Sequence, residues 1–275
     1  MECLFQRHWH TEVRRDGEQS LRAETVYHDT VRDLVVGMKI KMGNFLIQEA
    51  YVEQHRPVVP SEEEICMVQE LLGIEAYFSS GSLINRALAP YGNPLMSLLF
   101  AETVKGVIQA ESFIFNERGY QTADDYEQYW RNFYGGTCRY YSNLDRVEQD
   151  WYQHLGTTSR TGVLFSRFKE QTLYRDSAGQ WQLQGTFSDS FHELAVSIVL
   201  NPDERTVVDI SGCLLRCPDQ VCREAAGLLQ VLKGAKLEEL SKKNIAGALG
   251  RNQGCVHVID LAYDLAYTLT LLHGD

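Results

Sequence analysis

The sequence predicts an α+β fold made of two tandem, divergent repeats, each an antiparallel sheet covered on one face by helices, with a helical insert joining them. Three observations carry this. Slid against itself by 160 residues, the chain pairs Leu4-Phe5 with Leu164-Phe165, Arg7 with Arg167 and Arg15-Asp16 with Arg175-Asp176, without a gap. The offset continues through Asp29 with Asp189, Leu34 with Leu194 and Val36 with Val196, and after one inserted residue it carries Pro57 onto Pro218, Gly73 onto Gly234 and Ala101 onto Ala262. Each copy also places strands before helices, an order that gives one sheet with a helical layer, and the short connections between its strands favour antiparallel pairing.

These boundaries predict a degenerate first repeat over 1–115, an aromatic helical insert over 116–160 and a second repeat over 161–275. In the second repeat Leu164 to Leu173 and Trp181 to Phe187 read as strands. Leu194, Val196, Ile198 and Leu200 alternate as a half-buried strand, and Thr206 to Leu214 follows the turn Asn201-Pro202-Asp203-Glu204. Pro218 then opens a helix through Leu232 that Gly234 stops, and Leu237 to Lys243 is a shorter helical piece. In the first repeat Leu34 to Ile40 and Phe45 to Val52 are the matching strands. Ser61 to Leu72 reads as the first helix, with Glu62, Glu63 and Glu64 in its first turn, and Leu95 to Ala110 as the last. The insert reads as a hairpin of helices over Asp124 to Phe133 and Leu144 to Leu155, its aromatics packing it as a connector. His8 and His10 flank Trp9 in an edge strand and face solvent. Ser79-Ser80-Gly81-Ser82 is a loop with no phosphate-binding pattern around it.

A net charge of −11 and a pI near 5.2 argue against a binder of duplex nucleic acid or of anionic membranes, both of which need basic surface. No segment has the apolar length of a membrane span or of a leader, so the expectation is a soluble, cytoplasmic protein. Seven cysteines, an odd number spread widely, read as thiols or ligands rather than a disulfide framework.

The stretch with most chemistry begins at Gly250-Arg251-Asn252-Gln253-Gly254, a polar turn that delivers Cys255 and His257 to the start of an apolar helix. Val258, Ile259, Ala262, Leu265, Ala266, Leu269 and Leu272 recur there at helical spacing. Unpaired N–H groups at a helix start favour a thiolate and a neutral imidazole, both of which suit metal ligation. His192 starts a strand, Cys217 lies at a strand-to-helix turn and Cys222 in the next turn of chain, so strand ends and helix starts converge on one patch. Cys255, Cys222, His192, His257 and Cys217 form the candidate metal set, and sulfur with imidazole suits zinc, iron or an iron–sulfur cluster. The first repeat carries Arg32, Ser61, Pro94 and Met96 where the second has His192, Cys222, Cys255 and His257, as expected of one functional and one degenerate copy. Two other readings stay open. Cys255 would be a nucleophile with His192 or His257 as base, or the protein would be a non-catalytic adaptor docking through its aromatic insert. A protein partner or a homodimer is expected.

His192-Glu193-Leu194 before a strand, Cys222 twelve residues before Gly234, and Gly254-Cys255-Val256-His257-Val258 at the last helix together carry a resemblance. The second repeat resembles an uncharacterised bacterial family of unknown function (DUF2889-like), whose members show His-Asp-Met, a single cysteine and Gly-Cys-Thr-His-Leu; valine replaces threonine at Val256. The element order is similar to that of the NifU/IscU/SufE iron–sulfur scaffolds, whose strand-exit and final-helix cysteines match Cys217 and Cys255. Ser190 and His192 stand in the region of the scaffold's Cys-Gly-Asp loop, and Gly254 stands where the scaffold has histidine.

Overall fold

The computed structural model describes residues 1–56 and 65–273. Strands β1 (Glu2–Arg15), β2 (Ser20–Asp29), β3 (Asp33–Lys41), β4 (Ile47–Arg56) and β5 (Ile65–Met67) come first, then helices α1 (Gly81–Leu88) and α2 (Pro94–Ala110). Helices α3 (Ala123–Tyr134) and α4 (Trp151–Leu155) lead to β6 (Val163–Arg175), β7 (Trp181–Asp189), β8 (Glu193–Leu200) and β9 (Val207–Arg216). Helices α5 (Gln220–Arg223), α6 (Lys242–Ala248) and α7 (Val256–Thr270) close the chain. The fold is α+β with antiparallel strand pairing.

Two compact units divide these elements. The leading unit comprises His8–Tyr126 and Thr157–Phe168, with strand order β5-β4-β3-β2-β1-β6. The trailing unit comprises Met1–Arg7, Glu127–Gly156 and Lys169–Asp275, with order β1-β6-β7-β8-β9. Each of β1 and β6 therefore contributes one end to each unit.

Inside each unit the 160-residue offset reappears in backbone detail. Leu34 faces Tyr27 across β3 and β2, and Leu194 faces Phe187 across β8 and β7. Irregularities fall at Asp33/Leu34 and Lys39/Ile40 in one unit and at Glu193/Leu194 and Val199/Leu200 in the other. Phe45 and Arg205, 160 apart, both hold the left-handed conformation that side chains rarely adopt, with φ of 54° and 55°. Gly73 and Gly234 donate to Ile47 and Val207 at 2.9 and 2.8 Å.

The trailing core follows from two periodicities. Alternate residues of β8 are buried, so one face of the sheet is apolar, and α7 covers it with Val258, Ile259, Leu261, Ala262, Leu265 and Leu269. Gly185 on β7 sets how close the helix comes. A Cβ there would stand 2.9 Å from Leu265 Cδ2 and 3.0 Å from Leu261 Cδ1.

The sequence expectations hold for most strands and for α2, α3 and α7, and fail at six places, the first being Leu237 to Lys243, where a 3-10 turn over Leu237–Glu239 is separate from α6. Residues 61–64 of the expected Ser61 to Leu72 helix lie outside the described residues. Its remainder is not a helix: Ile65, Cys66 and Met67 form β5 against Tyr51, Val52 and Glu53, and a 3-10 turn occupies Gln69–Leu71. An available strand edge outweighs helix propensity there. Between Pro218 and Leu232 only Gln220–Arg223 is α-helical, and Glu224–Leu232 winds as a tighter 3-10 segment. That segment packs onto β9 at Gly212, where any side chain would meet Leu229. In the insert the second helix is only Trp151–Leu155, because Asp150 and Gln153 close a capping box that fixes its start. Ser79 to Ser82 is no loop, since α1 starts at Gly81 after a 3-10 turn. Finally, β1 lies between β2 and β6 rather than at an edge. His8 is exposed there, whereas His10 is half-buried and stacks on Phe168 at 4.3 Å between ring centroids.

Among the described residues no helix is long and apolar enough to cross a membrane.

Candidate metal centre

The centre is built from three turns of the trailing unit. In the first, β7 ends at Asp189, whose Oδ1 accepts the backbone N–H of Phe191 at 2.8 Å and of His192 at 2.6 Å. The Asp189 N–H donates to the His192 carbonyl at 2.8 Å, closing a tight turn into β8. This turn holds His192 Nδ1 3.2 Å from Asp189 Oδ1. Arg216, at the end of β9, clamps the turn by donating to the carbonyls of Asp189 at 2.6 Å and His192 at 3.3 Å.

The second turn is Gly250 to Cys255. Cys255 caps α7 and His257 lies in its first turn, with Cys255 Sγ 3.8 Å from His257 Nδ1. The rings of His257 and His192 lie 3.8 Å apart, tilted by 34°. Asp189, His192 and His257 each bring one donor atom within 4.8 Å of the others, and Asp189 and His192 are buried.

Gly254 makes the second turn possible, because a Cβ at this position would collide with the Leu249 carbonyl oxygen. Gly254→Ala is therefore expected to cost about 1–3 kcal/mol through forced backbone movement. Urea unfolding followed by circular dichroism measures it, and an unchanged midpoint would show that the turn relaxes freely.

The third turn joins β9 to α5 and carries Cys217 and Cys222. The Cys217 sulfur lies 3.2 Å from the Asp219 carbonyl oxygen, and neither cysteine belongs to the Asp189, His192, His257 group.

The insert straps all three turns. Arg139 N–H donates to the Gly254 carbonyl at 2.8 Å, its Nη1 to that of Gln253 at 3.0 Å, and Ser142 Oγ to that of Asn252 at 2.8 Å. Glu148 and Gln149 N–H donate to Asp219 Oδ2 at 2.9 and 3.2 Å. His154 Nε2 lies 2.8 Å from the Phe191 carbonyl oxygen, and Trp151 packs edge-on against the Phe191 ring. Burial holds His154 below the usual imidazole range.

One expectation is reversed. Cys255 does stand at a helix entrance, and the backbone N–H groups of Val258 and His257 do favour its thiolate. Burial opposes them and prevails, pushing the thiol up to about 12. Cys255 is a protonated thiol at neutral pH, suited to hydrogen bonding with His257.

Residues 165–270 match the family described as Protein of unknown function (DUF2889). The matched stretch contains Asp189, His192, Arg216, Cys217, Cys222, Cys255 and His257, while the strap from Arg139 to His154 lies outside it. No curated protein matches the chain.

Sequence reasoning missed Asp189, Arg216 and the strap. Asp189 carried a signal in its pairing with Asp29 at the 160-residue offset, but a residue shared by both halves reads as structural. Arg216 and Arg139 had none, because each acts on backbone carbonyls brought near only by folding.

Proposed function

We propose that the trailing unit binds a single transition-metal ion between His192 and His257, with the Asp189 carboxylate as its acidic partner. The observation that carries this is the convergence of three donor atoms within 4.8 Å from two separate turns. Nδ1 of each histidine is already engaged, on Asp189 in one case and beside Cys255 in the other, which favours Nε2 as the coordinating nitrogen. Two imidazoles and a carboxylate suit zinc or iron. A single ion is favoured over an iron–sulfur cluster, because a cluster needs several thiolates and the converging group contains two imidazoles and a carboxylate.

The same reading takes the two halves as divergent copies of one ancestral bacterial unit, the first having lost its site. The shared strand register, irregularities and left-handed residues at a 160-residue offset support it. A SufE/NifU-like ancestry for that unit is supported by Cys217 at the strand exit and Cys255 at the last helix.

The test is metal and sulfide analysis of anaerobically purified protein beside His192→Ala and His257→Ala. Near-stoichiometric zinc or iron without sulfide is expected, falling at least about tenfold in either variant. Wild-type protein that stays metal-free after reconstitution with zinc or ferrous ion would end the proposal, and stoichiometric sulfide would replace the single ion with a cluster.

A further inference from the structure

The two units differ again on the sheet face opposite their long helices. In the trailing unit α7 packs at Gly185, and in the leading unit Thr103 of α2 meets Thr25 of β2 at 2.7 Å. The other face is formed by the residues that alternate with these buried ones. In the trailing unit Gln184 and Thr186 on β7 and Ser211, Cys213 and Leu215 on β9 are exposed, with Ala195 and Ser197 of β8 half-buried between them. Register sets Thr186, Ala195 and Cys213 in one row and Gln184, Ser197 and Ser211 in the next. The leading unit has the same rows at an offset of 160, Val26, Val35 and Glu53 in one and Glu24, Gly37 and Tyr51 in the other.

What stands in those rows is opposite in character. The leading face is laced by charge. Arg22 lies 3.8 Å from Asp16 and 3.9 Å from Glu24, Lys39 lies 3.6 Å from Asp16, the Tyr51 hydroxyl donates to Glu24, and His55 lies 3.5 Å from Glu53. Cross-strand pairs of this kind suit a sheet surface that stays in water. The trailing face carries Gln182, Gln184, Val199, Cys213 and Leu215 where the leading one has Arg22, Glu24, Lys39, Glu53 and His55. The charged residues of β7, β8 and β9 lie near strand ends, at Asp189, Glu193, Asp209 and Arg216, and Asp209 is paired with Lys233 at 2.7 Å.

We propose that this neutral face of the trailing sheet docks a second copy of the chain, the two sheets packing face to face about a twofold axis. Two features point to a copy of itself as the occupant. The chain carries a net charge of −11, so two copies repel wherever charged surface meets charged surface and approach closely only on a neutral patch. A twofold axis also sets a patch against itself, so its groups must pair with their own kind. Gln, Ser and Thr side chains both donate and accept, whereas an ammonium only donates and a carboxylate only accepts. The trailing face meets that requirement and the leading face does not. A basic partner of other sequence would select carboxylates, and glutamine and cysteine stand where the leading face has Glu24 and Glu53. Short side chains suit sheets packed about 10 Å apart, and on the edge strand Leu215 and Val208, 58% and 51% exposed, add apolar area.

The test is sedimentation equilibrium of the full-length protein from about 1 to about 100 μM, beside Ala195→Glu and Val35→Glu, which place a carboxylate at the aligned position of each face. A mass twice 31.4 kDa is expected for wild type and for Val35→Glu. Ala195→Glu brings like charges together across the twofold axis and is expected to weaken association at least about 100-fold with an unchanged circular dichroism spectrum. Alkylation of the wild-type chain by N-ethylmaleimide, mapped by peptide mass, reads the face directly. At the highest concentration Cys213 should react at least about tenfold more slowly than Cys3 and Cys66, which are likewise exposed in the single chain. A wild-type chain that stays monomeric throughout would overturn the proposal and leave the face to a different protein. A dimer whose Cys213 reacts as fast as Cys3 and Cys66, or which Val35→Glu disrupts as much as Ala195→Glu does, would overturn it by moving the contact elsewhere. Mass and alkylation are both read on the wild-type chain, so they stand whether or not a variant folds.

Discussion

Asp264→Ala is expected to destabilise the protein by about 3–5 kcal/mol, although the residue is remote in sequence from every charge it serves. Lys169 on β6 is almost wholly buried, its side chain 1% exposed, and its Nζ lies 3.0 Å from Asp264 Oδ2. Arg7 on β1 is fully buried and donates to the Asp264 backbone carbonyl, with its guanidinium over the Tyr267 ring. Asp264 on α7 therefore meets two buried cations, Lys169 through its carboxylate and Arg7 through its backbone carbonyl. Truncating it takes the carboxylate away from the buried Lys169 ammonium beside the Phe187 ring, and breaking a buried ion pair from one side costs more than the contact itself. The double variant Asp264→Ala with Lys169→Met removes the buried ammonium as well and is expected to recover at least about 1 kcal/mol. Urea unfolding of the two variants decides it. A single variant within about 1 kcal/mol of wild type would mean that water reaches Lys169 and that the interior is less dry than its burial implies.

What could be read from the chain divides along physical lines. Patterns that one element carries by itself were legible. The alternation of Leu194, Val196, Ile198 and Leu200 located β8, and the spacing of Val258, Ile259, Ala262 and Leu265 located α7 with Cys255 at its cap. Features settled by a partner from elsewhere were not. Ile65 to Met67 is extended because β4 offers it an edge, and Glu224 to Leu232 winds tightly against Gly212. Asp264 falls on the buried face of α7, yet nothing local tells that Lys169 of β6 meets its carboxylate and Arg7 of β1 its backbone carbonyl. The site divides in the same way. His192 and His257 could be named as a candidate pair from their places at a strand start and a helix start. The state of Cys255 could not be read, because the favourable helix entrance is a local feature and the burial that overrides it is a tertiary one. Cys217 and Cys222 were visible only as a spacing.

The leading unit supplies the control by which the metal proposal stands or falls. Asp29 builds the same turn as Asp189, its Oδ1 accepting the N–H groups of Val31 and Arg32 at 2.7 and 2.6 Å. Both carboxylates are buried, with side chains 2% and 0% exposed. Only the second turn carries a histidine, since Arg32 stands where His192 does, so a cost common to both turns is structural and a cost confined to one belongs to the site. Asp189→Ala removes the acceptor from two backbone donors and from His192, and is expected to cost about 2–4 kcal/mol. Asp29→Ala, whose donors lie nearer to solvent, is expected to cost about 1–3 kcal/mol. The asparagine variants separate turn from charge. Asp189→Asn keeps an oxygen for the two N–H groups but loses the negative charge that orients His192 and offsets the ion. It is expected to hold stability within about 1 kcal/mol while metal affinity, read by competition with a chromogenic chelator, drops about 10- to 100-fold. Asp29→Asn should leave that affinity unchanged. Equal losses in both asparagine variants would assign the effect to general loosening of the fold, and no loss in Asp189→Asn would remove the carboxylate from the centre, leaving two imidazoles too few to hold an ion by themselves.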